Sequence, residues 1–341
     1  MAGDADVYAH SNHGTAVWSC IAGMYEGKRL GAAVDAEFLL CRTELNLREI
    51  AAEEDHWMAA AEWADLQGAD IISSSLGYGR PRHTYNDMDG QRTLVSRAAA
   101  MAVRKGILVV NSAGNEGVDK FHYITAPGDA DSVLTVGGCY PMLPVKMPFS
   151  SVGPNSRGIL KPDISAPGYV LAANKSGEYR PIGGTSFACP LMAGLAACIM
   201  QSQPQATNMQ VKQLIQESGH FYPYYDYNLG NGAFHLGRAL HIPGPWDSLG
   251  YVNTDKPYLQ AGRRNDTLFI ALNPAVVDHD TLNFKQGKPL YFRRILTDGR
   301  LTDYRSVLVR PRIYSLRIFN PRSLQGKLEI WFEGKKFEIN E

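Results

Sequence analysis

Three residue types in this chain could carry acyl-transfer chemistry. The first is Ser186, in Gly183-Gly-Thr-Ser-Phe-Ala-Cys-Pro190, directly before a run of small apolar residues that reads as a tightly packed helix. A serine at the start of a helix sits beside free backbone N–H groups, at the positive end of the dipole. That position suits a nucleophile whose product carries an oxyanion, although capping serines in glycine-rich turns use the same position. The second is His13, in Ser11-Asn-His-Gly-Thr15 at the start of a short apolar helix, where it could be a general base or a structural polar cap, with Gly14 leaving room for close backbone approach. The third is Asn115, in the Gly/Asn-rich turn that ends an apolar strand, where a side-chain amide could donate to developing negative charge.

Such residues need a scaffold that brings distant turns together. Short apolar runs at 69–77, 106–117 and 132–138 each end in small polar residues, and helical patterns at about 47–67 and 93–105 lie between or before them. Trp57, Ala60, Ala61 and Ala64 recur at three- and four-residue spacing, the mark of an amphipathic helix. The acidic cluster Glu53-Glu54-Asp55 is read as a solvated complement to that helix's dipole. A β-rich run at 32–42 predicts another strand, with Asp35 near its start in a structural role. The segments 149–153 and 161–168 read as loops, 211–217 as a short helix and 229–232 as a tight turn. Strands alternating with helices predict a doubly wound, mostly parallel α/β sheet with helices on both faces. Active sites of such sheets lie beyond the carboxyl ends of the strands, and His13, Ser75, Asn115 and Ser186 all fall at element ends of that kind.

The chain has 341 residues and a net charge of zero, which gives no pointer to nucleic acid or an anionic membrane. From Trp246 onward there are 16 Lys+Arg against 11 Asp+Glu, a local +5 that leaves −5 for the preceding part. That asymmetry, with a texture change to short strands separated by turns such as Asp298-Gly299, predicts a first domain over 1–245, a linker over 246–266 and a small antiparallel β-sandwich over 267–341. The five cysteines lack CxxC spacing, so no zinc site is expected; Cys20, Cys189 and Cys198 read as buried free thiols. No apolar run of spanning length and no signal peptide is visible.

The order His-Gly-Thr, Ser-Leu-Gly, Gly-Asn-Glu, Phe-Ser-Ser-Val-Gly-Pro, Ala-Pro-Gly and Gly-Thr-Ser-Phe-Ala-Cys-Pro resembles the subtilisin-like serine peptidases, over roughly residues 6–240. The resemblance implies that Ser186 is the nucleophile, that His13 takes and returns its proton, and that Asn115 with the Ser186 N–H binds the oxyanion. It implies that Ser75-Leu76-Gly77 and Ser112-Ala113-Gly114 wall the primary pocket and pair with an extended polypeptide substrate. Thr125 and Glu116 would then lie at the pocket's base and rim, favouring small or basic side chains. No cofactor is implied. The expected product is a secreted or cell-surface endopeptidase working through an acyl-enzyme; a processing peptidase with one partner and a non-catalytic peptide-binding relative are the alternatives.

Two departures follow from the same resemblance. The family's catalytic aspartate ends a strand about thirty residues before the histidine, whereas only twelve residues precede His13, and Asp4 and Asp6 are too close to it. We therefore expect an N-terminal truncation, and a feeble peptidase if the chain is whole. The loop Met24–Leu30 carries two cations and few hard oxygen ligands, so no calcium is expected there. Asn273-Pro-Ala-Val-Val, Asp298-Gly-Arg, Ile313–Ile318 and Lys336-Phe-Glu-Ile resemble the C-terminal sorting domains of type IX secretion cargo, which would make secretion machinery a partner; an ordinary β accessory module has the same texture.

Overall fold

The computed structural model describes residues 11–44, 50–141, 143–222, 225–241, 259–264, 267–272, 288–302, 305–309, 315–319, 326–332 and 335–340. Asp4, Asp6, residues 246–258 and 265–266 of the expected linker and the Asn273–Val277 motif lie outside these residues. The chain forms two compact units, one of residues 1–222 and 227–240, the other of 223–226 and 241–341.

In the first unit the elements run α1 (Asn12–Ala22), β1 (Met24–Tyr25), β2 (Lys28–Arg29), α2 (Ala52–Leu66), β3 (Ile71–Ser74), α3 (Leu94–Arg104), β4 (Leu108–Ser112), β5 (Leu134–Tyr140), β6 (Leu143–Lys146), β7 (Ile164–Pro167), β8 (Tyr169–Ala173), β9 (Tyr179–Gly183), α4 (Thr185–Ser202), α5 (Asn208–Glu217) and α6 (Leu236–Ala239). β3, β4, β5 and β7 are parallel, and β6 pairs antiparallel with β5. Because side chains alternate along a strand, Leu108 and Val110 point to one face and Ile107 and Val109 to the other. The first face packs against α4 and α5 through Met192, Ile199, Val211 and Ile215. The second packs against α2 and α3 through Trp57, Ala61, Val95 and Ala99. This is the doubly wound sheet that the apolar strands predict.

Several local expectations are corrected. Residues 32–42 form no strand: they bend at 31–36 and then find no ladder partner among the described residues. Residues 164–167 form the strand β7 rather than a loop, because their buried backbone pairs with β5. A Cβ on Gly14 would meet nothing within 4 Å, so no close backbone approach requires glycine there. Met24–Leu30 closes as the two-stranded hairpin β1–β2, with Glu26 and Gly27 at positive φ. Cys198 is only half-buried, bonding to the Ala32 carbonyl, while Cys20 and Cys189 are buried and all five thiols are free. Burial pushes the Cys20 thiol up to about 11 and the Cys189 thiol to about 12. Helix α4, 18 residues, is long and apolar enough by composition to cross a membrane, but most of it is buried in the core.

The acidic cluster is also corrected, since Glu53 and Glu54 are buried and only Asp55 is exposed. The Glu54 carboxylate accepts hydrogen bonds from His83 Nε2 (2.8 Å), Arg82 Nη1 (3.1 Å) and the Val95 N–H (3.2 Å). Burial opposes its charged form, but the bonds from His83, Val95 and Arg82 outweigh burial and hold the carboxyl below its usual range. Glu54 thereby ties the segment after β3 to α2 and α3. Glu54→Ala should lower unfolding free energy by about 3 kcal/mol, since it leaves the partly buried Arg82 guanidinium and the His83 ring without their acceptor. With a depressed native pKa, this stabilisation is present above the unfolded-state value near 4.5 and disappears as pH falls through the native value. Urea titrations of the two proteins at pH 7 and pH 3 should therefore converge at the lower pH.

In the second unit, β10 (Leu259–Arg264), β11 (Thr267–Leu272) and β14 (Ser315–Phe319) form one antiparallel sheet. β12 (Lys288–Leu296), β13 (Arg305–Val309), β15 (Gly326–Phe332) and β16 (Lys335–Asn340) form another. β10 occupies residues assigned by composition to the linker; it pairs with β11 residue for residue from Leu259↔Leu272 to Arg264↔Thr267. Arg293 is wholly buried and held by Glu329 and by Asp226 (2.6 Å), an ion pair inside this unit.

Candidate active site

The site is built around the N-terminal turn of α4. Gly184 is its N-cap at φ 153°, a backbone conformation that L side chains rarely adopt, so glycine is required to turn β9 into the helix. Ser186 is the second helical residue, so its N–H has no acceptor within the helix. Its half-buried hydroxyl donates weakly to the Ser75 carbonyl at 3.4 Å.

Pro190 explains a second contact. Four residues after Ser186, it has no N–H to give to the Ser186 carbonyl, which a regular helix would satisfy. The Ser75 hydroxyl supplies that hydrogen bond at 2.7 Å, across 111 residues of chain. Ser75, expected as pocket wall, therefore also fixes the turn that carries Ser186.

Asn115 lies at the same turn. Its Oδ1 accepts from the Thr185 N–H (2.9 Å) and the Thr185 hydroxyl (3.1 Å). A backbone N–H can only donate, so these bonds fix which end of the amide is oxygen. The Nδ2 donor faces the Gly184 side, where a Cβ on Gly184 would lie 3.7 Å away. The Asn115 side chain and the Ser186 N–H, which has no acceptor within the helix, thus lie at the same turn of the chain. Thr185, which orients Asn115, went unassigned in the sequence because nothing in Gly-Thr-Ser shows where the threonine bonds.

His13 is the second residue of α1, whose N-cap Ser11 accepts from the His13 N–H at 3.1 Å. α1 packs against α4 and β8 through Ala16, Cys20, Phe187 and Ala172. The His13 ring meets Phe187, the neighbour of Ser186, edge to face at 6.1 Å between centroids. The structure thus brings His13 to the end of α4 that carries Ser186, without a hydrogen bond between them; in free enzymes such bonds are often long. Among the described residues no carboxylate bonds to the His13 ring. Asp35 is instead an exposed partner of Arg29 at 3.0 Å, remote in role from this site. Burial penalises the imidazolium and lowers the His13 pKa below 6.5. A base must be neutral to accept a proton, so the rate of Ser186 modification should rise with pH through a midpoint below 6.5. A rate–pH profile checks this.

The two segments expected as walls lie side by side. Ser75-Leu76-Gly77 continues from β3, and Ser112-Ala113-Gly114 ends β4. The buried Asn111 amide and the Ser112 hydroxyl donate to the Leu76 carbonyl, at 3.1 and 3.5 Å, and so join the two segments. Thr125 is buried against both, and the Glu116 N–H donates to Ser151 Oγ at 3.0 Å. Ser151 was missed, since a serine in Phe-Ser-Ser-Val carries no sign of this contact. Among the described residues no cluster of three or more His, Cys, Asp or Glu could hold a metal ion.

The family model for the subtilase family, Peptidase S8, matches residues 2–232. Serine protease AprX of Bacillus subtilis (strain 168) is 34% identical over 197 residues, covering 51% of this chain and 43% of that protein. Subtilisin NAT of Bacillus subtilis subsp. natto is 30% identical over 234 residues, covering 67% and 54% respectively. The chain thus spans about half the length of these curated relatives. Among solved structures, that of the patellamide maturation protease PatA aligns with a TM-score of 0.56 at 25% identity, covering 68% of this chain and 84% of that one. A match over this much of the sequence, on a fold whose turns gather Ser186, Asn115 and His13, shows that the chain belongs to the subtilase family.

Proposed function

We propose that the protein is a serine endopeptidase that cleaves polypeptides through an acyl-enzyme on Ser186. The observation that carries this reading is that the N-terminal turn of α4 holds Ser186 and, through Thr185, the Asn115 side chain. Ser186 Oγ attacks the scissile carbonyl while His13 Nε2 or Nδ1 takes its proton; the carbonyl oxygen becomes an oxyanion between the two donors. Collapse expels the amine with the proton from His13, and water repeats the sequence on the ester. An extended substrate lies between Ser75–Gly77 and Ser112–Gly114. We place the protein outside the cytoplasm, as a secreted or surface peptidase, with the second unit as a sorting or accessory module. Incubation with an unfolded polypeptide tests the activity: discrete new termini that disappear after organophosphonate treatment support it, and an intact substrate contradicts it.

A further inference from the structure

Away from the turn that carries Ser186, Lys161 lies wholly buried just before β7. Its ammonium donates to three oxygens: the Val133 carbonyl (2.7 Å), Asp163 Oδ2 (2.8 Å) and Thr135 Oγ1 (3.0 Å). The buried Thr135 hydroxyl in turn donates to the Gly128 carbonyl at 2.5 Å. Gly128 ends the short loop 125–128, whose backbone is bonded to two other segments. The Ala126 N–H and carbonyl bond to Tyr78 at 3.1 and 2.8 Å, and the Thr125 N–H donates to the Ala113 carbonyl at 3.3 Å. Hydrogen bonds therefore lead from Lys161 to a loop seated on Tyr78, directly after Ser75–Gly77, and on Ala113 of the segment 112–114.

We propose that Lys161 is a positioning residue for the peptidase: protonated, it holds the 125–128 loop against both segments, and loss of its proton releases the loop and weakens substrate binding. The number of hydrogens requires the coupling. An ammonium has three hydrogens for its three acceptors, and it obliges Thr135 to turn its own hydrogen towards Gly128. A neutral amine has two hydrogens and a lone pair, so one of the three oxygens then faces the lone pair. The Val133 carbonyl and the Asp163 carboxylate have no hydrogen to offer. Only the Thr135 hydroxyl can reverse and donate to the nitrogen, and in doing so it leaves the buried Gly128 carbonyl without that donor. The charges around Lys161 set where this happens. Burial opposes the Asp163 charge, but Lys161 and Lys212 outweigh burial and keep that carboxyl below its usual range. Lys212 Nζ, from α5, stands 3.2 Å from Asp163 Oδ1 and disfavours a second ammonium, whereas Asp163 and Asp131 favour it. Burial raises the pKa of Asp129, a further carboxyl within reach of the Lys161 charge. For Lys161 itself burial outweighs the carboxylates and lowers the pKa to about 8.

The kinetic consequence rests on the peptidase reading, whereas release of the loop is measured without turnover. Protection of the Tyr78 and Ala126 amides against hydrogen exchange, corrected for the intrinsic effect of pH, should fall roughly three- to tenfold from pH 7 to pH 10, the effect of one neutral hydrogen bond. KM for one chromogenic peptide should rise by a similar factor with a midpoint near 8, while kcat stays level because His13 is already neutral. Thr135→Val keeps the shape and deletes the relay, so its protection should be low and its KM high throughout, with no step. Thr135→Ser, which keeps the hydroxyl, should retain the step. Flat amide protection in the unsubstituted protein, or a step that survives Thr135→Val, would overturn the proposal; if that variant does not fold, the profile of the unsubstituted protein decides alone. A protection step in a protein without turnover refutes the peptidase reading alone, and turnover with a flat KM refutes the positioning role alone.

Discussion

Ser186→Ala should abolish peptide turnover; in subtilisin, whose histidine is held by an aspartate, loss of the nucleophile or of the base alone lowers kcat by about 10⁶, the ceiling for the loss here. His13→Ala should be nearly as damaging, and the double variant no worse than either single one, because the two act on the same step. The structure makes these informative substitutions. Ser186 Oγ contributes only a 3.4 Å contact to the Ser75 carbonyl, and the Ser186 carbonyl that holds the turn to Ser75 is untouched by a side-chain change. Stability should therefore shift by less than about 1 kcal/mol. Matched thermal unfolding curves alongside lost turnover would locate the effect in chemistry. Residual activity within tenfold of the parent would mean that another residue is the nucleophile.

Asn115→Ala should lower kcat by about 10²–10³ and leave KM within a few-fold, a loss of about 2.7–4 kcal/mol that has been gauged on subtilisin's own oxyanion asparagine. The reasoning is differential: an amide N–H gains most from the full negative charge of the intermediate and little from the neutral ground-state carbonyl. Asn115 is exposed, and its Oδ1 is committed to Thr185 by two hydrogen bonds, so the amide is preorganised with no partner to break when the charge forms. Asn115→Asp should do at least as much harm. A carboxylate can still accept from Thr185, but its second oxygen would set negative charge against the oxyanion. Steady-state kinetics on one chromogenic peptide measures both variants; a rise in KM with kcat intact would instead assign Asn115 to substrate binding.

Much of the first unit was legible because buried parallel strands leave a continuous apolar trace. Ile107–Val110 and Val133–Val136 have no alternative to a two-sided core, and the helices between them carry regular spacing. Strand β7 was hidden because four residues that follow one proline closely and end in another show no period. The β8–β9 hairpin was hidden because its outward residues Tyr169 and Leu171 are exposed apolar groups that imitate a core strand. Glu54 was misread for a different reason. A first-turn carboxylate looks the same whether solvated or buried, until Arg82 and His83, 28 and 29 residues away, are folded onto it. Likewise the need of the Ser186 carbonyl for a donor could be inferred from Pro190, but not that Ser75 would meet it. At the candidate site the motifs singled out Ser186, His13, Asn115 and Glu116, and the structure added the neighbours that touch them: Thr185 at Asn115, Phe187 beside His13, and Ser151 at Glu116.

The central claim is that Ser186 is an activated nucleophile. It is tested most directly by treating the folded protein with a fluorophosphonate and locating the adduct by peptide mapping. One adduct is expected, on Ser186, formed faster as pH rises past the lowered His13 pKa, strongly slowed in His13→Ala and absent from protein unfolded beforehand. A folded protein that stays unmodified, or one modified at a different residue, would contradict it.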